Sequence, residues 1–208
     1  MLFIAVSIFF IPINSWSQST YIPDDNFENY LEANGMGDGI ALNDSVLTSN
    51  INTATNLTVS SLSISDLTGI EDFAALSVLY AQGNQITSLD LSQNTQLNII
   101  RCENNLLYRL NVKNGNNTNV TQFFTTGNPS LECINVDDSI YSANNWTNID
   151  SQQYFGESCF CSIVINSQTN VSCFGGFDGS LVLSGYGGSG AYNYTFGLYN
   201  AFFDSIFS

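Results

Sequence analysis

The chain has 208 residues, eighteen acidic against three basic, no histidine, and a formal net charge of −15. A surface this acidic repels nucleic acid and anionic membrane, and the lack of histidine removes the usual neutral-pH base and the commonest zinc ligand. Five cysteines, an odd number, leave at least one unpaired or bonded to another chain.

Leu2 to Ile11 is an apolar run too short to span a bilayer, and Ser15-Trp16-Ser17 follows with small residues at a cleavage spacing. Residues 1–17 therefore read as a secretory signal peptide, although no Lys or Arg precedes the run. The mature chain is expected to be secreted or held on the outer cell surface. Pro23-Asp24-Asp25 marks a helix start with acidic residues on the first turn. Phe27, Tyr30 and Leu31 then share one face, and Gly35, Gly37 and Gly39 end the helix. Residues 18–56 are thus expected to form an N-terminal helical cap.

From Leu57 the chain repeats. Leu57, Leu79, Ile100 and Phe123 form one column, at steps of 22, 21 and 23 residues. Val59, Ala81, Cys102 and Thr125 form the next; Leu62, Asn84, Asn105 and Asn128 follow; then Ile64, Ile86, Leu107 and Leu131; then Leu67, Leu89, Leu110 and Ile134. Four aligned units at this period predict a repeat solenoid of the α/β type over residues 57–136, with a short parallel strand per turn and a mostly irregular convex side. In the strand, period two sends Leu79 and Ala81 inward and their neighbours outward. Asn84, Asn105 and Asn128 sit where the strand turns away, where an inward amide can satisfy backbone groups of adjacent turns. Leu62 takes that place in the first unit, so this structural ladder starts one turn later.

Each unit returns along the convex side. In "LDLSQNTQL", Leu89, Leu91 and Leu97 are expected inward, with Ser92 and Asn94 in turns. The sister "LNVKNGNNTNV", Leu110 to Val120, is two residues longer, and its Asn-Gly predicts an outward loop. The outward strand positions Tyr80, Gln82, Arg101, Glu103 and Phe124 are the candidate ligand-binding residues, because aromatic and guanidinium groups on one face suit protein or glycan contacts.

Repetition stops after Val136. Tyr141, Trp146, Ile149 and Phe155 offer spaced apolar groups to cover the open last turn, making residues 137–160 a C-terminal cap. Position suggests disulfides Cys133–Cys159 and Cys161–Cys173, with Cys102 free in the inward strand column, though five cysteines leave other pairings open. Beyond Cys161, alternating segments Ile163–Ile165, Leu181–Leu183 and Tyr192–Phe196 are separated by Gly-rich turns. Residues 161–208 therefore read as part of an antiparallel β-sandwich module, too few for a whole one.

The columns from Leu57 to Val136 resemble the leucine-rich repeat family in its short-repeat, secreted bacterial form. Residues 21–159 are similar to a Bacteroidetes group: "YIPDDNF…L" from Tyr21 to Leu31 opens it, "ISDLTGIEDF" from Ile64 to Phe73 is the first-repeat motif, and Asn145, Trp146, Ile149, Asp150, Phe155 and Cys159 close it. That resemblance also favours the Cys133–Cys159 pair. The remainder resembles the SprB-type repeat found in very large adhesins of gliding Bacteroidetes, on Cys173, Gly175, Gly176, Asp178, Gly179 and Ser180, then Gly187, Gly188, Gly190, Tyr192 and Tyr194. The usual continuation gives way to Phe196.

Chemistry is sparse. There is no G-x-S-x-G elbow; the acidic pairs Glu71-Asp72 and Asp137-Asp138 read as solvated turns rather than glycosidase carboxylates. The loop Asn34–Gly39 has Met36 where a calcium ligand is needed and no closing Glu. No cofactor or metal is expected. The sequence thus implies a non-catalytic surface binding or adhesion protein working through the concave face of its solenoid, with an unidentified protein or glycan as partner, no nucleic acid, and no membrane insertion after signal removal. Two alternatives stay open: a stalk or spacer segment of a large adhesin, and the non-catalytic part of a larger extracellular enzyme.

Overall fold

The computed structural model describes residues 18–159, 162–169 and 180–186. The signal-like segment, Cys161, Cys173, the Gly-rich motif and the Tyr192–Phe196 segment lie outside the described residues. Two compact units divide at Phe155/Gly156.

In the first unit, β1 (Ser19–Tyr21) pairs antiparallel with β2 (Ser45–Leu47), enclosing helix α1 (Asp25–Ala33); a single helical turn, α2 (Thr48–Ile51), follows. Asp24 starts α1. Its Oδ1 accepts the Asn26 and Phe27 N–H groups, both at 3.0 Å, which would otherwise be orphan donors of the first turn. Its Oδ2 accepts the Ser65 N–H at 2.8 Å, the Ser65 hydroxyl at 2.7 Å and the Asp66 N–H at 3.2 Å. One carboxylate therefore caps the helix and ties it to the first repeat. Phe27 and Leu31 are buried in the same core as Leu57 and Ile64, with the Phe27 ring stacked on Phe73. Glu28 is buried too, and it is satisfied: its two oxygens accept the Asn43 and Asp44 N–H groups at 2.9 and 3.1 Å.

The repeats supply β3 (Asn56–Thr58), β4 (Val78–Tyr80), β5 (Ser88–Asp90), β6 (Ile99–Arg101), β7 (Arg109–Asn111), β8 (Gln122–Phe124) and β9 (Cys133–Asn135), with β10 (Tyr154–Gly156) after them. One sheet runs β3-β4-β6-β8, all parallel, with Leu57, Leu79, Ile100 and Phe123 in register. The repeat alignment thus corresponds residue for residue to strand pairing, and the fold is a repeat solenoid. A second sheet runs β10-β9-β7-β5, parallel from β5 to β9. This corrects the expectation of a mostly irregular return side. Ser88-Leu89-Asp90 and Arg109-Leu110-Asn111 look like turn arms, but one buried Leu between two outward polar residues is also a minimal strand.

Between the strand and the asparagine column the backbone is left-handed in every unit: Ser61 has φ 58°, Gly83 73°, Asn104 55° and Gly127 77°. Gly and Asn tolerate that region best. Leu62, placed by alignment in the asparagine column, is 37% exposed. Left-handed Ser61 and Ser63 on either side aim its side chain outward, while its N–H still points to Asn84.

The longer unit also differs from expectation. Its loop is not simply outward: Asn114 and Asn117 are buried. Asn117 Nδ2 donates to the Val112 carbonyl at 2.7 Å, and Asn114 Nδ2 to the Asn94 carbonyl at 3.0 Å. Asn94, fully buried, donates to the Ile70 carbonyl at 2.7 Å. A second set of inward asparagines therefore braces the return side.

After the repeats, α3 (Ser139–Asn145) is capped by Asp138. Trp146 stacks on Phe123 with centroids 4.2 Å apart, and Phe155 meets the Trp146 ring edge-on; such pairs contribute about 0.5–1.5 kcal/mol beyond area burial. Where the last strand has no following turn, Asp150 replaces it: Oδ1 accepts the Gly127 N–H and Oδ2 the Asn128 N–H, at 3.0 and 2.9 Å. Gln153 takes the buried Thr125 hydroxyl at 2.6 Å. Cys133 and Cys159 are disulfide-bonded, and Cys102 is free and buried.

In the second unit, β11 (Ser162–Thr169) and β12 (Ser180–Tyr186) form an antiparallel pair with a register shift between Ile165 and Ser167. Among the described residues no helix is long and apolar enough to cross a membrane.

Candidate ligand-binding face

The sheet β3-β4-β6-β8 is pinned from behind by Leu79, Ala81, Ile100, Cys102 and Phe123, all buried. Alternation then presents three outward rows. Parallel register places Val78 beside Ile99, and Tyr80 beside Arg101 beside Phe124. Two residues on, Gln82 and Glu103 are neighbours, because Gly83 N–H donates to the Glu103 carbonyl at 2.9 Å.

The middle row is a stack. The Arg101 guanidinium carbon lies 4.7 Å from the Phe124 ring centroid and 5.9 Å from that of Tyr80, within cation–π range of both. Arg101 Nε and Nη2 donate to Glu103 Oε1 at 3.0 and 2.6 Å. That hydrogen bond leads the causes raising the Arg101 pKa above its ordinary value. The site thus offers a planar guanidinium, 35% exposed at the side chain, with its charge compensated and its orientation fixed. It is not a free cation.

Of the five expected contact residues, Tyr80, Arg101 and Phe124 are brought together, and Gln82 is half-buried. Glu103 is only 7% exposed, which corrects its expected place as an open contact; the Arg101 side chain pairs with it. Its Oε2 and Gln82 Oε1 are buried acceptors without a hydrogen-bond partner among the described residues. Val78 and Ile99, half-buried beside the stack, were missed by the sequence reading, although their odd-even position relative to Tyr80 and Arg101 marks them as outward.

The asparagine column lies at the edge of this face. Asn84 Nδ2 donates to the Val59 and Ala81 carbonyls at 2.7 and 3.0 Å, and its Oδ1 accepts the Leu62 and Ile64 N–H groups. Asn105 donates to the Ala81 and Cys102 carbonyls and accepts the Ile86 N–H. Asn128 donates to the Cys102 and Thr125 carbonyls and accepts the Leu107 N–H. These buried amides join successive turns.

Burial pushes the Cys102 thiol pKa far up, so its thiolate is suppressed. The carboxylates of Asp25, Glu28 and Asp44 approach within 4.8 Å, but both Glu28 oxygens are already taken by backbone N–H groups. At the Asn34–Gly39 loop, Glu32 of α1 accepts the Asp38 and Gly39 N–H groups, and Asp38 accepts the Ile40 N–H.

Residues 165–196 match the family model of the SprB repeat. Among curated proteins, internalin J of Listeria monocytogenes serotype 4b is 38% identical over 79 residues, covering 38% of this chain; the chain spans only 8% of that protein's length. Among solved structures, the functional domain of InlJ from Listeria monocytogenes, described as including a cysteine ladder, has 24% identity and a TM-score of 0.39, covering 66% of this chain and 37% of that one. The internalin InlF of Listeria monocytogenes has 19% identity and a TM-score of 0.47, covering 62% and 44%. The chain is thus similar to internalin J, a leucine-rich repeat protein, over 79 residues, and to the SprB repeat over residues 165–196.

Proposed function

We propose that the chain is a binding segment of an exported surface protein and acts without chemical turnover through the outward face of the β3-β4-β6-β8 sheet. The observation that carries this reading is the Tyr80–Arg101–Phe124 stack. Rigid aromatic and guanidinium groups, prealigned by strand register and flanked by half-buried Val78 and Ile99, cost little entropy to engage a partner. Its neutralised arginine suits a protein surface or a sugar face better than an anion. Export is supported by the signal-like residues 1–17 and by the likeness to internalin J and the SprB repeat. Under this reading residues 18–56 and 137–160 cover the two ends of the repeats, and residues 161–208 belong to a sandwich-like module.

A glycan and surface-protein array screened with the full chain tests it. A specific hit that weakens about tenfold or more on Tyr80→Ala or Phe124→Ala is the expected result. Hits untouched by both substitutions would remove this face from the function, and hydrolysis of an offered polymer would overturn the non-enzymatic reading. One observation favours a second reading, a spacer: the Arg101–Glu103 pair and the double stack also brace adjacent turns against each other. An array without any hit would support it.

A further inference from the structure

The first repeat contributes no strand to the second sheet. By alignment Asp66–Thr68 occupies the place that Ser88–Asp90 and Arg109–Asn111 fill in later turns, yet the sheet begins at β5. The reason is local. Asp66 Oδ1 accepts the Thr68 N–H at 2.8 Å and the Thr68 hydroxyl at 2.7 Å, which turns the chain. Gly69 then takes φ 99° and packs so closely on the Tyr21 carbonyl that a Cβ there would lie 2.7 Å from its oxygen. The chain is drawn toward β1 and away from β5. A cavity of about 720 Å³ is left between the two segments, lined among others by Asp66, Thr68, Glu71, Thr87, Ser88 and Asp90.

Backbone parity fixes what β5 offers to this cavity. The Thr87 carbonyl accepts the Tyr108 N–H at 2.9 Å and the Leu91 N–H donates to the Asn111 carbonyl at 2.8 Å, so odd-numbered residues face β7. Along a strand these groups alternate, so the N–H and C=O groups of Ser88 and Asp90 point to the open edge. Such an edge is a template for another strand. Its walls carry Asp66 and Glu71 on one side and Asp90 on the other, so the slot is acidic. Asp90 also lies near Arg109 and accepts Asn111 Nδ2, while on the opposite wall Glu71 Oε2 accepts the Gly69 N–H at 2.9 Å and Asp66 Oδ1 the Thr68 groups, leaving one oxygen of each carboxylate for the slot's partner.

We propose that this slot is a second binding site, which takes an extended segment of a partner protein as an added strand on β5 and reads its lysine or arginine side chains with Asp66, Glu71 and Asp90. Charge selects the partner. A second copy of this chain is unsuited, because it carries a net charge of −15 and its only three cations, Arg101, Arg109 and Lys113, all lie within the folded repeats.

The probe is a blocked octapeptide of alternating lysine and valine, titrated into the full chain by fluorescence anisotropy. Two comparators accompany it: the same peptide N-methylated at every second residue, and its glutamate–valine counterpart. Saturable binding is expected, weakened about tenfold or more by N-methylation, which keeps charge but removes strand pairing, and abolished by charge reversal. Ser88→Pro removes an edge-facing donor without touching the β7 ladder and is expected to weaken binding similarly; Asp66→Asn with Glu71→Gln is expected to do so in a salt-dependent way. Tyr80→Ala should leave the titration unchanged, which separates this site from the face proposed above. Equal affinity for the N-methylated peptide would overturn strand addition, even if Ser88→Pro proved unfolded. Absence of saturable binding by the lysine–valine peptide would overturn the site altogether.

Discussion

Replacing Asn105 by alanine deletes four hydrogen bonds at a position only 3% exposed: from Nδ2 to the Ala81, Cys102 and Glu103 carbonyls, at 3.0, 3.1 and 3.3 Å, and from the Ile86 N–H to Oδ1 at 3.1 Å. The carbonyls are not abandoned. Ala81 keeps a donor in Asn84 and Cys102 keeps one in Asn128. Glu103 keeps the Gly83 N–H, and only the Ile86 N–H is left buried without an acceptor, so the cost should be about 1–3 kcal/mol rather than the sum of four bonds. The same inventory ranks the column. Asn84→Ala strands the Leu62 and Ile64 N–H groups and the Val59 carbonyl, so it should cost more than Asn105→Ala. Urea melts followed by far-UV circular dichroism measure both, and for Asn105→Ala the midpoint should fall by about 1 M. Asn105→Asp sharpens the test. A carboxylate would face two carbonyl oxygens and be desolvated, so the folded state would raise its pKa. Its deficit relative to wild type should therefore be small below about pH 4 and grow as pH rises toward 7. An unchanged midpoint for Asn105→Ala, or an Asn105→Asp deficit that ignores pH, would refute the ladder argument.

Asp24→Ala should cost about 1–2 kcal/mol at pH 7. Burial alone would raise the Asp24 pKa, but hydrogen bonds from Ser65, Phe27 and Asp66 outweigh it and hold it below the ordinary value; the native advantage over Asp24→Ala is thus present above about pH 4 and shrinks as pH falls through that lowered pKa. Gly127→Ala and Gly115→Ala share the left-handed strain, φ 77° and 76°, but only Gly127 has a neighbour, Asn104 Oδ1, 2.5 Å from the added Cβ; Gly115→Ala should cost about 1 kcal/mol and Gly127→Ala clearly more in the same melts. Asp150→Ala should accelerate hydrogen exchange at the Gly127 and Asn128 amides before it affects the Leu79 strand, and uniform acceleration would show that the end is not separately secured. Peptide mapping without reduction should recover a Cys133–Cys159 fragment, and Cys102 should react with a thiol reagent only after unfolding.

The strand columns were legible because every unit places an apolar residue at the first inward position and, but for Thr125 in the last unit, at the second, and parallel pairing maps one unit onto the next without a shift. The return side was harder to read. A three-residue strand has too few positions for alternation to stand out, so Ser88-Leu89-Asp90 is indistinguishable from a turn until its neighbours are stacked beside it. Asn94, Asn114 and Asn117 look like surface loop residues in sequence; they are buried because an irregular path leaves carbonyls inside that only a side-chain amide can reach. In the candidate face, alternation identifies which residues point outward but not which become covered. Glu103 is outward by parity and covered by Arg101, its partner two residues away, a pairing that depends on how a long side chain folds back. The unpaired edge of β5 has no sequence signature at all, since Leu67 keeps its column while its backbone departs.

Asp150 has a consequence for how such a chain varies in length. Ser61, Gly83 and Asn104 each give their N–H to the carbonyl of the following turn, and Gly127 gives its own to the Asp150 carboxylate instead. Asp150 therefore stands in for the backbone of a following turn at this position, and the interior turns present matching donors and acceptors to one another. A whole unit of 21 to 23 residues duplicated between Leu79 and Phe123 would meet matching surfaces on both sides and leave both ends untouched. Reach is thus an adjustable dimension of this architecture, set by gene duplication in increments of one strand spacing, about 4.8 Å, while the closing chemistry stays constant.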